Sequence, residues 1–190
     1  MSSMKRTFTA ALVIALAAAC GGGNSATPAV PTCDAACQDA IAIRSLRETL
    51  KLAFNLTLQG KPVGHHDESV DCPLGGTVHV VGDATSNPAQ GATNVDLVYE
   101  LLGCTYTLKD DDPKQTYSMS LVGKVEQKGV IAVQPSATTA LGFRSGSVSF
   151  KGSVYNPDIS YEQTACAIVL QQDGNKLSGT LCGRSGSVDL

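Results

Sequence analysis

The sequence predicts a mainly β domain with one N-terminal helix, an antiparallel meander of about eight strands forming a disulfide-stapled sandwich or barrel. Three observations predict it. From residue 70 onward, short alternating apolar runs are separated by turns rich in Gly, Ser, Thr, Asn and Asp. Ahead of them stands a single apolar stripe at helical spacing. Six of the seven cysteines fall in the body of the chain, an even number that suits a disulfide framework in an exported protein.

The helix comes first. Thr32 or Asp34 can cap its N-terminus. Ile43, Leu46, Leu50, Phe54 and Leu58 then recur three and four residues apart, while Arg44, Arg47, Glu48 and Lys51 fall mostly on other faces. Gly60 followed by Pro62 is a stop signal. Leu50, Leu52, Phe54, Leu56 and Leu58 also alternate as a strand would. The stripe begins earlier and carries both a start and a stop, so the prediction is a helix over about residues 34–58.

The strands follow in order. Residues 77–81 (TVHVV) are the first, and residues 94–102 place Val95, Leu97, Tyr99 and Leu101 on one face. The phase flips at Gly103, so that Leu102, Cys104, Tyr106 and Leu108 alternate next, which a bulge at Gly103 explains. KDDDPK (109–114) is a turn, from which residues 116–127 return. Residues 130–133 and 145–155 are two more strands, and 166–170 with 176–182 form a hairpin around Asp173, Gly174 and Asn175. The runs TVHVVG, MSLVGKV, VSFKGSV and LSGTLCG each set a glycine in or beside an apolar stretch, at bends or close backbone approaches.

That hairpin predicts a disulfide. A three-residue loop pairs Gln172 with Lys176, and the same register sets Cys166 opposite Cys182. Cys72 and Cys104 flank the first two strands and make the second pair. Cys33 and Cys37 remain, and four residues apart is poor geometry inside a regular helix. Either the chain is not helical there or the pairing differs.

The N-terminus reads as an address. Lys5 and Arg6 precede an uncharged run from Thr7 to Ala19, too short to span a bilayer and followed at once by GGGNS. Ala17, Ala18 and Ala19 lead into Cys20, which resembles the lipobox of bacterial lipoproteins, with Ala17 where that family usually carries Leu. The resemblance covers residues 1–20 and implies a cleaved signal peptide (1–19) and a diacylglyceryl group on Cys20. It also implies anchorage in the cell envelope. Gly21 stands where some bacteria read Asp as inner-membrane retention, which favours the outer membrane. Residues 20–32 then form the lipidated cysteine and an uncharged tether, and residues 33–190 a single domain. The body resembles cysteine-containing, β-rich domains found among bacterial lipoproteins without assigned activity, which implies no chemistry.

Removal of residues 1–19 leaves 12 basic and 17 acidic side chains, a net charge of −5. That argues against nucleic acid as a partner, and the absence of Trp argues against a large stacking surface for carbohydrate. The membrane, through the anchor, is the one partner the sequence names.

Candidate chemistry is sparse. His65, His66, Asp67 and Glu68, with His79 on the next strand, offer metal ligands, but without zinc-type spacing they read first as a polar loop. Asp110, Asp111 and Asp112 lack the pattern of a calcium loop and read as a solvated turn. FRSGS and GRSGS repeat a tetrapeptide that reads as a bend before a strand, and no G-x-S-x-G elbow occurs. No cofactor is predicted. The leading expectation is a non-catalytic envelope protein acting in binding, adhesion or assembly. The alternatives are a carrier of a small apolar ligand in a β-barrel cavity and a metal-dependent enzyme using His65, His66 or His79.

Overall fold

The computed structural model describes residues 32–87, 91–132 and 139–190. Cys20, the expected signal peptide over residues 1–19 and nearly all of the expected tether lie outside the described residues. One helix, α1 (Ala35–Thr57), is followed by eight strands: β1 (Gly64–Asp71), β2 (Thr77–Asn87), β3 (Ala92–Leu108), β4 (Tyr117–Ala132), β5 (Ala140–Val154), β6 (Ile159–Asp173), β7 (Lys176–Leu181) and β8 (Arg184–Asp189). They form one antiparallel sheet in chain order, so every strand pairs only with its neighbours in sequence. The fold is mainly β, as predicted. The sheet is not closed, for β1 and β8 do not pair with each other.

Asp34 is extended at φ −71° and ψ 179°, and its side chain accepts a hydrogen bond from the Cys37 amide. It therefore caps α1 and satisfies one of the amides a helix start leaves free. The stripe buries as expected: Ile43, Leu46, Leu50 and Leu58 are at most 5% exposed. Full burial of one such side chain is worth about 1.5–3 kcal/mol. Burial spreads round much of the helix, because α1 touches β1 to β5, β7 and β8. Ser45, Thr49 and Thr57 are also buried, and each hydroxyl donates to a carbonyl three or four residues earlier, at 2.7–2.9 Å. The sheet thus curls round α1, whose side chains fill its concave face.

Bulges help the sheet to curl. The β3–β4 register shifts between Leu102 and Cys104, at the predicted Gly103. The phase changes one residue later than the alternation suggests: Leu101 and Cys104 face the core, while Leu102 is 56% exposed. Further shifts lie between Gly123 and Glu126, and between Ser145 and Phe150. Each adds local twist to its strand.

Two strands go beyond the sequence pattern and two expected strands merge. β1 covers the polar stretch that reads as a loop, and β8 begins in the second RSGS. The runs at 116–127 and 130–133 are a single strand, β4. The first RSGS lies within β5 rather than before a strand. The glycines of the four related runs sit at close approaches. A Cβ on Gly82, Gly123, Gly152 or Gly179 would strike a carbonyl oxygen of the adjacent strand.

The six cysteines of the body stand in three pairs at disulfide distance. Cys33 and Cys37, with Cα atoms 5.2 Å apart, meet because Cys33 lies before the Asp34 cap and outside the helix. Cys72 and Cys104, 5.4 Å apart, fasten the β1–β2 turn to the β3 bulge, where Thr105 N–H donates to the Gly75 carbonyl. Cys166 and Cys182 are 4.6 Å apart, but not through the register expected for them. The hairpin loop has two residues, pairing Asp173 with Lys176 and Ile168 with Leu181, so Cys182 does not directly oppose Cys166. Cys182 has left the strand with φ of 51°, and its amide donates to the Ala167 carbonyl. That turn returns its side chain toward Cys166.

One ion pair ties the two ends of the chain. Arg184 of β8 donates from Nε and Nη2 to the Asp39 carboxylate at 2.6 and 2.8 Å, and Tyr161 of β6 donates to the same group at 3.0 Å. Asp39 is 8% exposed and Tyr161 3%, so truncation would leave the buried Tyr161 hydroxyl unmatched, whereas Arg184, half exposed, can turn to water. Asp39→Ala should lower the unfolding free energy by about 1–3 kcal/mol in a urea titration, mostly from the unmatched Tyr161 hydroxyl. A loss below about 0.5 kcal/mol would show that the network contributes nothing of note.

Candidate functional site

Strand geometry divides the histidine-rich segment. Side chains alternate across β1, so His65 and Asp67 are exposed on the outer face while His66 and Glu68 are half-buried on the inner one. His65 Nδ1 lies 3.2 Å from Asp83 Oδ1, and His79 Nε2 lies 2.7 Å from Asp67 Oδ1. Glu68 pairs with Lys61. His65 and His79 therefore sit in two separate cross-strand contacts and His66 on the opposite face of β1, so His65, His66, Asp67 and His79 are not one ligand set. No group of three or more His, Cys, Asp or Glu side chains able to hold a metal ion occurs among the described residues.

The other candidates are structural. Asp110, Asp111 and Asp112 are exposed, and Asp112 caps the 3₁₀ turn Pro113–Gln115 by accepting from the Lys114 amide at 3.0 Å. Arg144 of the first RSGS stands opposite Glu126 on β4, and Arg184 of the second holds Asp39.

The interior leaves little for an enclosed ligand. Tyr99, Tyr117, Phe143, Phe150, Met119 and Leu121 are all at most 1% exposed on the face that α1 covers. The Tyr99 and Tyr117 hydroxyls find no hydrogen-bond partner among the described residues. Burial pushes both phenols well above the usual tyrosine range.

A cleft of about 370 Å³ lies near the N-terminal end of α1 between Cys37, Ala40, Arg44 and Asp189, and two adjoining clefts lie toward its C-terminal end. The first of these two, of about 430 Å³, is bounded by Leu58, Pro62, His66, Ala84 and Thr93. A second, of about 260 Å³, lies between Arg47, Leu50 and Phe54 of α1 and Gln127, Thr139 and Leu141 of the sheet. Phe54, Asn55, Gln59, Ile131 and Ala132 border both. The second cleft is mixed in character. Leu50, Phe54, Ile131 and Leu141 give it apolar walls, while Gln127 and Thr139 are polar yet at most 3% exposed. Thr139 accepts the Ala132 amide at 3.2 Å. Gln172 beside it is 2% exposed, accepts from Arg47 Nε at 2.6 Å and donates to the Gly174 carbonyl at 2.8 Å.

Arg47 is the unusual member. Burial holds its guanidinium below the ordinary arginine range, with Glu48 and the Tyr99 phenol opposing that shift. All 17 acidic side chains of the chain lie among the described residues, and Arg47 forms an ion pair with none of them. Glu48, next in sequence, is engaged with Lys51 at 3.6 Å. By its charge, Arg47 groups with the solvent-facing residues of the helix. The signal that separates it is its place three residues before Leu50 and seven before Phe54, on the flank of the apolar stripe.

Among the described residues no helix is long and apolar enough to cross a membrane. No family model matches the chain, and no curated protein or solved structure matches it significantly.

Proposed function

We propose that the protein is a lipid-anchored envelope protein whose domain acts by binding rather than catalysis. One arrangement supports this reading: the chain enters the folded domain at one end of α1, and the two adjoining clefts that Phe54 borders lie toward the other. Cys33 and Cys37 brace the entry, and Phe54, Asn55 and Gln59 border the clefts. From Cys37 to Phe54 the helix advances 17 residues, about 26 Å at a rise of 1.5 Å each. A tether attached at Cys33 would leave the clefts facing away from the surface to which Cys20 is fixed. The uncharged residues 20–32 supply the reach, and the three cystine pairs hold the domain rigid outside the reducing cytosol. A carrier role survives in altered form. The ligand would sit in a cleft beside the helix, because the volume inside the curled sheet is taken by side chains.

The anchor is tested by fractionation. Cys20→Ser should move the protein from the membrane fraction to the soluble fraction of disrupted cells. Retention on washed membranes would overturn the lipid anchor.

A further inference from the structure

We propose that the cleft between the C-terminal half of α1 and the sheet binds a short amphiphilic carboxylate, a medium-chain fatty acid, with its head group on Arg47 and its acyl chain along Phe54, Ile131 and Leu141. The inference rests on the binding role proposed above and supplies its ligand class.

Charge carries the argument. A guanidinium withdrawn from water is costly unless it is paired. Among the described residues Arg47 has one side-chain hydrogen bond, from Nε to Gln172, and no acidic partner. Its Nη groups present the planar fork that receives a carboxylate through two parallel hydrogen bonds. Burial also disfavours the bare cation, so an anion that ion-pairs with it would relieve that cost.

The walls select the rest of the ligand. Leu50, Phe54, Ile131 and Leu141 offer apolar surface to a hydrocarbon body rather than to a hydrated inorganic ion. At about 260 Å³ the cleft falls just below the usual range for drug-sized ligands, which fits one short acyl chain and not a diacyl lipid. Gln127, which also lines the cleft, carries an amide able to donate a further hydrogen bond to a carboxylate.

The test is calorimetric titration of the full chain with sodium octanoate, with 1-octanol and with inorganic phosphate. The expected result is one octanoate per chain, with Arg47→Met weakening it at least tenfold while leaving 1-octanol unchanged. Met keeps the apolar stem, and an unfolding midpoint close to that of the parent shows the variant folded. Leu141→Trp, which fills the cleft, should remove octanoate binding as well. Equal octanoate affinity in parent and Arg47→Met overturns the proposal. So does the absence of octanoate binding in the parent, or phosphate binding as tightly as octanoate. These results leave the anchor untouched, since Cys20→Ser reports on it separately. A chain that binds octanoate yet keeps its membrane attachment without Cys20 would fail in the anchor alone.

Discussion

Replacing both Cys72 and Cys104 with Ser should cost about 4 kcal/mol, the largest loss among the three cystine pairs. The bond closes a loop with a sequence separation of 32, against 16 for Cys166–Cys182 and 4 for Cys33–Cys37. Loop-closure entropy then ranks them at about 4, 3 and 2 kcal/mol. A second effect adds to the first. β1 is an edge strand built from Gly-His-His-Asp-Glu-Ser-Val-Asp, and none of its side chains is fully buried. Apart from its ladder with β2 and its contacts with α1, the Cys72–Cys104 bond is what fastens it to the sheet. Hydrogen exchange in the double variant should therefore show β1 amides opening well before those of β3 and β4. Urea midpoints of the three Cys→Ser pairs give the ranking. A larger loss from Cys33/Cys37 than from Cys72/Cys104 would contradict it.

Gly82→Ala should destabilise the domain by about 3–5 kcal/mol. Gly82 has φ of +141°, a region that side chains with a Cβ rarely enter, at a cost of about 1–3 kcal/mol. An added Cβ would also collide with the Asp96 carbonyl oxygen and come within 2.9 Å of Leu97 Cα. Both belong to the backbone of β3, so neither can rotate aside, and forced overpacking costs about 1–3 kcal/mol more. Gly146→Ala is the control, since a Cβ there would meet nothing within 4 Å and its φ is ordinary. The two should differ by at least about 2 kcal/mol in unfolding free energy, judging from the lower bounds of strain and collision together. Near-equal values would mean that β2 and β3 are not in such close contact there.

These glycines show where the sequence is readable. A glycine set within an alternating apolar run has few explanations other than close backbone approach, and the four related runs carry that signal openly. The helix is equally plain, because Ile43, Leu46, Leu50 and Leu58 obey one spacing and Asp34 marks the start. β1 is hidden for a physical reason. An edge strand that buries no large side chain has no apolar rhythm, and His65, His66, Asp67 and Glu68 look like any polar loop. β8 is hidden by Arg184, Ser185, Gly186 and Ser187, whose fit depends on the helix lying over them; a Cβ on Gly186 would meet Ile43 Cδ1 at 2.6 Å. Arg47 shows the harder limit. Charge and spacing place it beside the apolar stripe, but only the assembled sheet reveals that no acidic group comes to meet it.

The meander also constrains the order in which the molecule can assemble. Each hairpin can form as soon as its two strands exist, for no strand pairs with one distant in sequence. The helix is different. It precedes every strand in the chain, yet Asp39 waits for Arg184, and Arg44 for the Asp189 carbonyl, both in the last strand, β8. Until β8 has been made, one flank of α1, including Ile43, has nothing to cover it. The helix that precedes the sheet is therefore completed last, and its nascent form carries an uncovered apolar ridge while the strands are made.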